Sequence, residues 1–171
     1  KRLKIEVVRP CINNCFAEFK AEKNKIFYAL SAIKNVGFEA ISNIVEERKK
    51  NGKFNSIIDF IKRVKPKDVN KLQLEGLVKA GAFDSLDENR AKLFHSIPKI
   101  ILAIKNIYEE KISNQSNLFG DTDDNSNKIF EFENKVMWTK KEILSEEFTS
   151  LGFYISDHPL NEYKDLFSQL K

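Results

Sequence analysis

Two short tracts, Lys34-Asn35-Val36-Gly37 and Lys79-Ala80-Gly81-Ala82, hold residue types that can grip a phosphate. Each sets a lysine beside a tight turn, and each turn lies between apolar runs of helical period. A turn of the pattern Gly-hydrophobic-Gly aims backbone N–H groups outward, and the following helix adds its positive N-terminal end. An anion is then held through the main chain, without any base being read. Asn35 occupies the first glycine position of the first tract. Asn is the residue other than glycine that best tolerates positive φ, so the turn is still expected there. Val36 is expected to plug the space between the two helices. Gly81 is expected to take the left-handed conformation that ends a helix.

Between the tracts, residues 48–67 hold Arg48, Lys49, Lys50, Lys53, Lys62, Arg63, Lys65 and Lys67, opposed within that stretch only by Asp59. Two phosphate-type turns flanking a basic stretch point to sequence-independent binding of the duplex DNA backbone, over roughly 3–6 phosphates. The expected contact residues are Lys34, Asn35, Val36, Gly37, Lys49, Lys50, Lys53, Lys79, Ala80 and Gly81. The competing reading is a helical protein-interaction module whose lysines are simply solvated. A different chemistry sits at Gln115-Ser116-Asn117-Leu118-Phe119, inside the polar, acidic stretch SNQSNLFGDTDDNSNK. A glutamine amide bonds at both ends, and adjacent Leu118 and Phe119 suit apolar subsites of a preformed pocket on a partner.

Catalytic and metal chemistry find no residues to carry them. Cys11 and Cys15 stand four apart with His95 and His158 distant, so no metal set can be assembled. Glu46-Glu47, Glu109-Glu110 and Glu146-Glu147 are adjacent pairs that point to different faces of a helix. The 171 residues carry a net charge of +4, which conceals a split. Residues 1–80 hold 18 basic and 9 acidic side chains, whereas residues 81–171 hold 11 and 16. No apolar run approaches the roughly 20 residues of a membrane span. The opening KRLKIEVVRP has neither Met nor a secretory apolar core, so the chain reads as a cytoplasmic piece of a larger protein.

The elements that must position these residues are mostly helices. Ile5, Val7 and Val8 form a short N-terminal strand-like segment, and Pro10 ends it. Ile26, Leu30 and Ile33 follow a helical period, so a first helix is expected from Ile26. Ile41, Ile44 and Val45 mark a second, and Ile57 to Val64 a third, capped by Asn55 or Ser56 and stopped by Pro66. Val69 to Lys79 makes a fourth. Asp87 is expected to cap a long helix that kinks or breaks at Pro98 and ends near Ile112. Residues 113–136 read as a flexible acidic linker. Trp138 to Leu151 is helical again, and Pro159 suits the first turn of a last short helix.

The order of these segments resembles the alpha subunit of bacterial DNA polymerase III, the C-family replicative polymerases. The resemblance rests on IFYALSAIKNVG, FNSIIDFIKRV, VNKLQLEGLVKAGAFDSL with Asn89-Arg90-Ala91, QSNLF and LGFYISDHPL, in family order over nearly the whole chain. It implies the end of a fingers region over residues 1–25 and a tandem helix-hairpin-helix domain over 26–112. A linker over 113–136 would carry the sliding-clamp ligand, and helical residues 137–171 would lead toward a following domain. It implies duplex DNA, the sliding clamp and the other holoenzyme subunits as partners. Nucleotidyl transfer with Mg²⁺ would belong to the full-length polymerase, with no catalytic residue and no cofactor in this stretch. The chain departs from the family pattern at Cys11-Ile12-Asn13 and Cys15, and has Ala29 and Asn35 where the family has glycine.

Overall fold

A computed structural model describes residues 4–116 and 130–163. Three short strands, β1 (Glu6–Val8), β2 (Lys20–Glu22) and β3 (Lys25–Phe27), form a sheet in the order β1-β3-β2. β2 and β3 are an antiparallel hairpin in which Glu22 faces Lys25 across Lys23-Asn24, with Lys23 at φ 53°. β1 joins β3 in parallel, pairing Val7 with Ile26. The helix expected from Ile26 is therefore replaced by β3 and a single 3₁₀ turn, Leu30–Ala32. Ile26, Phe27 and Tyr28 are β-branched or aromatic residues, which suit a strand better than a helix. Ile26 and Leu30 thus share a numerical period without sharing a helix.

The remaining elements follow the expected order. Helix α1 (Phe38–Asn51) buries Ile41, Ile44 and Val45. Helix α2 (Ile57–Arg63) starts at Ser56, whose side chain accepts from the Asp59 amide, and stops before the 3₁₀ turn Pro66–Asp68. Helix α3 (Lys71–Lys79) is capped by Asn70, which accepts from the Gln73 amide. Helix α4 (Arg90–Ser116) crosses the core and packs chiefly on α3 and α2. Edge-to-face contacts run from Phe54 to Phe60 and on to Phe83, with centroids 5.2 and 5.1 Å apart. These rings fill the space that short helices enclose poorly.

Several boundaries differ from expectation. Asn89, not Asp87, accepts from the first turn of α4 through the Lys92 amide; Asp87 instead pairs with Lys92 and accepts from the Asn89 amide. α4 runs unbroken through Pro98. Packing of Leu93, Ile97, Ile100 and Ile104 on the same buried side offsets the lost hydrogen bond. The helix also continues past Ile112 to Ser116. Phe130 and Phe132, assigned to the linker, are partly buried against the core and meet each other edge-to-face at 4.7 Å, because two aromatic rings bury usefully even beside Glu131 and Glu133. Helix α5 (Lys140–Leu151) opens with a capping box between Thr139 and Glu142 and closes at Gly152 in the left-handed region. Pro159 begins a 3₁₀ helix to Tyr163.

Two internal contacts set how α1 and the first turn sit. Arg48 is 7% exposed, and its Nη1 donates to the carbonyls of Ile12 and Cys15 at 2.5 and 2.8 Å. It thereby ties the Cys11–Cys15 loop to α1, and burial of that loop pushes the Cys15 thiol up to about 11. At Gly76 on α3, an added Cβ would stand 2.6 Å from the Lys34 carbonyl oxygen and 3.3 Å from Val36 Cγ2. Only a hydrogen lets the turn come so close. Gly76→Ala should cost about 1–3 kcal/mol in a urea titration and shift the amide resonances of residues 33–37. Arg48→Ala should cost about 3 kcal/mol, since two buried carbonyls lose a charged donor; unchanged urea midpoints would contradict either expectation.

Candidate nucleic-acid interface

The first turn has the conformation that a main-chain anion site needs. Asn35 sits at φ 65°, in the left-handed region expected of it. Val36 is 7% exposed and donates its amide to the Ile33 carbonyl, filling the hairpin interior. Gly37, at φ −79° and ψ 138°, is the N-cap of α1 and makes no side-chain cap bond. Among the described residues, the amides of Asn35, Gly37, Phe38, Glu39 and Ala40 have no acceptor. Lys34, Asn35 and Gly37 are all exposed. The turn therefore presents several unpaired N–H groups, the positive end of a 14-residue helix and one ammonium on a single surface. Positive φ at Asn35 supplies what glycine supplies elsewhere, while Gly37 adopts an extended conformation open to any residue.

The second turn, although similar in sequence, has spent its amides. Ala80 donates to the Gly76 carbonyl, Gly81 to Val78 and Ala82 to Leu77. These bonds close the C-terminus of α3, with Gly81 at φ 76° as expected. Ala80, Gly81 and Ala82 are also buried. Arg90 fills the position an added Cβ on Gly81 would need, with its Nη2 2.2 Å away from it. Lys79 is engaged as well: its Nζ lies 3.0 Å from Glu146 Oε2 and 5.2 Å from the centroid of the Phe94 ring. That oxygen is buried with no aligned donor, so the ammonium serves it as a charge partner rather than a hydrogen bond. Ala80 and Gly81 thus offer no free main-chain donor, and the expected contact there is corrected to a helix end packed under α5.

The basic stretch between the turns divides by residue type. Arg48 is internal, as described above. Arg63 binds Glu47, Asp59 and the carbonyls of Lys53 and Gly52, and its guanidinium lies 4.4 Å from the Phe54 ring centroid. The adjacent Arg63 charge and the Asn51 amide hold the Glu47 carboxyl below its usual pKa against the opposing effect of burial. Lys49, Lys50 and Lys53 are exposed, Lys53 donating to Asn14 Oδ1 at 3.0 Å. Phe38, Ser42, Val45 and Lys49 follow one stripe of α1 and line an open groove against Phe16 to Lys20. Lys49 therefore stands about 17 Å from the turn along the helix axis.

Sequence reasoning gives Gly76, Arg90, Glu147 and Ser150 no role in the turns, yet they hold both; the Glu146-Glu147 pair reads as solvated helix surface, whereas Glu147 is fully buried because Arg90 and Ser156 supply its hydrogen bonds. An isolated glycine inside the helical run LQLEGLVK is the one local signal that marked Gly76. Gln115 and Ser116 end α4, whereas Asn117, Leu118 and Phe119 lie outside the described residues. Among the described residues, no three His, Cys, Asp or Glu side chains gather in a group that could hold a metal ion. No helix among them is long and apolar enough to cross a membrane.

The helix-hairpin-helix motif family matches residues 4–93, just over half of the chain. The DNA polymerase III subunit alpha of Borreliella burgdorferi is 40% identical over 99% of this chain. The subunits of that name from Caulobacter vibrioides and Rickettsia prowazekii are 36% and 38% identical over 95% and 87% of it. The chain spans 12–15% of the length of these relatives. The matched residues include the first turn, α1 and the second turn. The chain belongs to the helix-hairpin-helix motif family, in the form that it shares with DNA polymerase III alpha subunits over nearly all its length.

Proposed function

We propose that this chain grips the sugar-phosphate backbone of duplex DNA, without reading its sequence, through the first turn and α1. The observation that carries the proposal is the set of unpaired amides of Asn35 and of Gly37 to Ala40, beside the exposed Lys34 at the start of α1. Lys49 extends the contact along the same stripe, over a length that matches about five base pairs. Glu39 and Glu46 share the exposed surface of α1, so the electrostatic gain is modest and the binding weak. Lys50 and Lys53 add positive charge at the far end of the helix. With Arg48, Arg63 and Lys79 engaged internally, the contact reduces to roughly three or four phosphates.

In a longer polymerase chain, this element would hold product duplex while nucleotidyl transfer, with Mg²⁺, took place elsewhere. The support is the similarity to polymerase subunits several times longer. A cytoplasmic setting and other holoenzyme subunits as partners belong to the same proposal. The pentapeptide Gln115 to Phe119 is proposed as the ligand of a sliding clamp, supported by its residue pattern. A tether of this kind raises the local concentration of the clamp without any new contact to DNA.

Anisotropy titrations of labelled duplex DNA should lose about 40- to 150-fold in affinity between 50 and 200 mM salt. Lys34→Ala should weaken binding to all duplex sequences alike and reduce the log–log salt slope by about one. Affinity independent of salt, or of Lys34, would instead favour a protein-interaction module. Replacing Gln115, Leu118 and Phe119 together by alanine should abolish binding to the clamp of the same organism in calorimetry and leave DNA affinity intact. Equal clamp affinity for the triple variant would remove the pentapeptide from consideration.

A further inference from the structure

We propose that Glu147 is a positioning residue for DNA binding, acting through α5 on the first turn; this rests on the DNA-binding reading above. Glu147 is 0% exposed. Its Oε1 accepts from Arg90 Nη1 at 3.2 Å, and its Oε2 from the amide and hydroxyl of Ser156 at 3.1 and 2.8 Å. Arg90 is anchored in turn by Asp84, at 2.6 and 2.8 Å, and by the Lys79 carbonyl at 3.1 Å. Three residues beyond Glu147, the Ser150 carbonyl accepts the Lys34 amide at 3.0 Å. The carboxylate therefore fixes α5 on the second hairpin, and α5 fixes the first.

The apolar contribution of α5 is small. Leu144 is its one fully buried apolar side chain among the described residues, and Phe148 is half exposed. A helix so thinly packed depends on its buried polar contacts for a unique seat. Without that seat, the Lys34 amide loses its acceptor, and Asn35 and Gly37 lose one of the two supports that hold them. The other support is the close approach at Gly76.

The test turns on the sign of the effect. Removing a negative charge near a DNA-binding surface should strengthen binding by electrostatics alone. For the full 171-residue chain, Glu147→Gln is instead expected to weaken duplex binding roughly fivefold and to speed hydrogen exchange at the Lys34 amide. The neighbouring Glu146→Gln, which releases Lys79, is expected to bind as tightly as the parent or more tightly. Unchanged or stronger binding by Glu147→Gln, with Lys34 exchange unaltered, overturns the proposal. Should that variant fail to fold, Ser156→Ala, which removes one donor to the carboxylate, should shift both readouts in the same direction by less. Parental values for Ser156→Ala would then overturn it. If the parent chain binds no duplex, the DNA-binding reading fails, and exchange at Lys34 alone decides whether Glu147 positions the turn.

Discussion

The carbonyl oxygen of Lys34 lies where a side chain on Gly76 would have to begin. That close approach lets the first turn rest directly on α3, with Val36 and Ile33 packed against the same spot. Because the turn is supported from beneath, the outward amides of Asn35 and Gly37 need no partner of their own from the protein. The cost of leaving them unpaired is offset by solvent exposure, since water satisfies a donor that a buried site would strand. A phosphate oxygen can replace that water at little cost. The functional surface is thus a consequence of packing on its other side.

The same reasoning separates the two turns. Their sequences look alike, but the second is covered by α5, and its amides must be satisfied within the protein. They bond to the last carbonyls of α3, while carboxylates of α5 and the neighbouring loop neutralise Lys79 and Arg90. In effect the chain supplies its own anions to the second hairpin and leaves the outward amides of the first turn to solvent. The division of basic residues follows from their chemistry. Planar guanidinium groups of Arg48, Arg63 and Arg90 donate to several acceptors at once and serve inside the fold. The exposed lysines keep their charge in solvent, where it can meet a polyanion.

Much of this was legible in the residues taken alone. Turn-tolerant Asn35, the cap at Ser56, the left-handed Gly81 and the apolar stripes of α1 to α4 are local preferences, decided within a few positions of chain. Of the sheet, only the strand-like segment at β1 was legible. The strands are three residues long, too short to carry an alternating pattern, and the parallel pairing of β1 with β3 depends on a contact between separate segments of chain. The seat of α5 was equally hidden, because Glu147 differs from the solvated Glu46 or Glu109 only in what lies opposite.

The sequence by itself determined the helices α1 to α4, the lysine-flanked turns beside them and the basic character of the first half. These depend on backbone propensity and net charge, which each residue contributes regardless of distant partners. Only the tertiary structure decided which turn stays open, which cations remain free and which carboxylate acts as an internal anchor. Those properties depend on whether a given amide or charge finds a partner across the fold, and no local pattern encodes that.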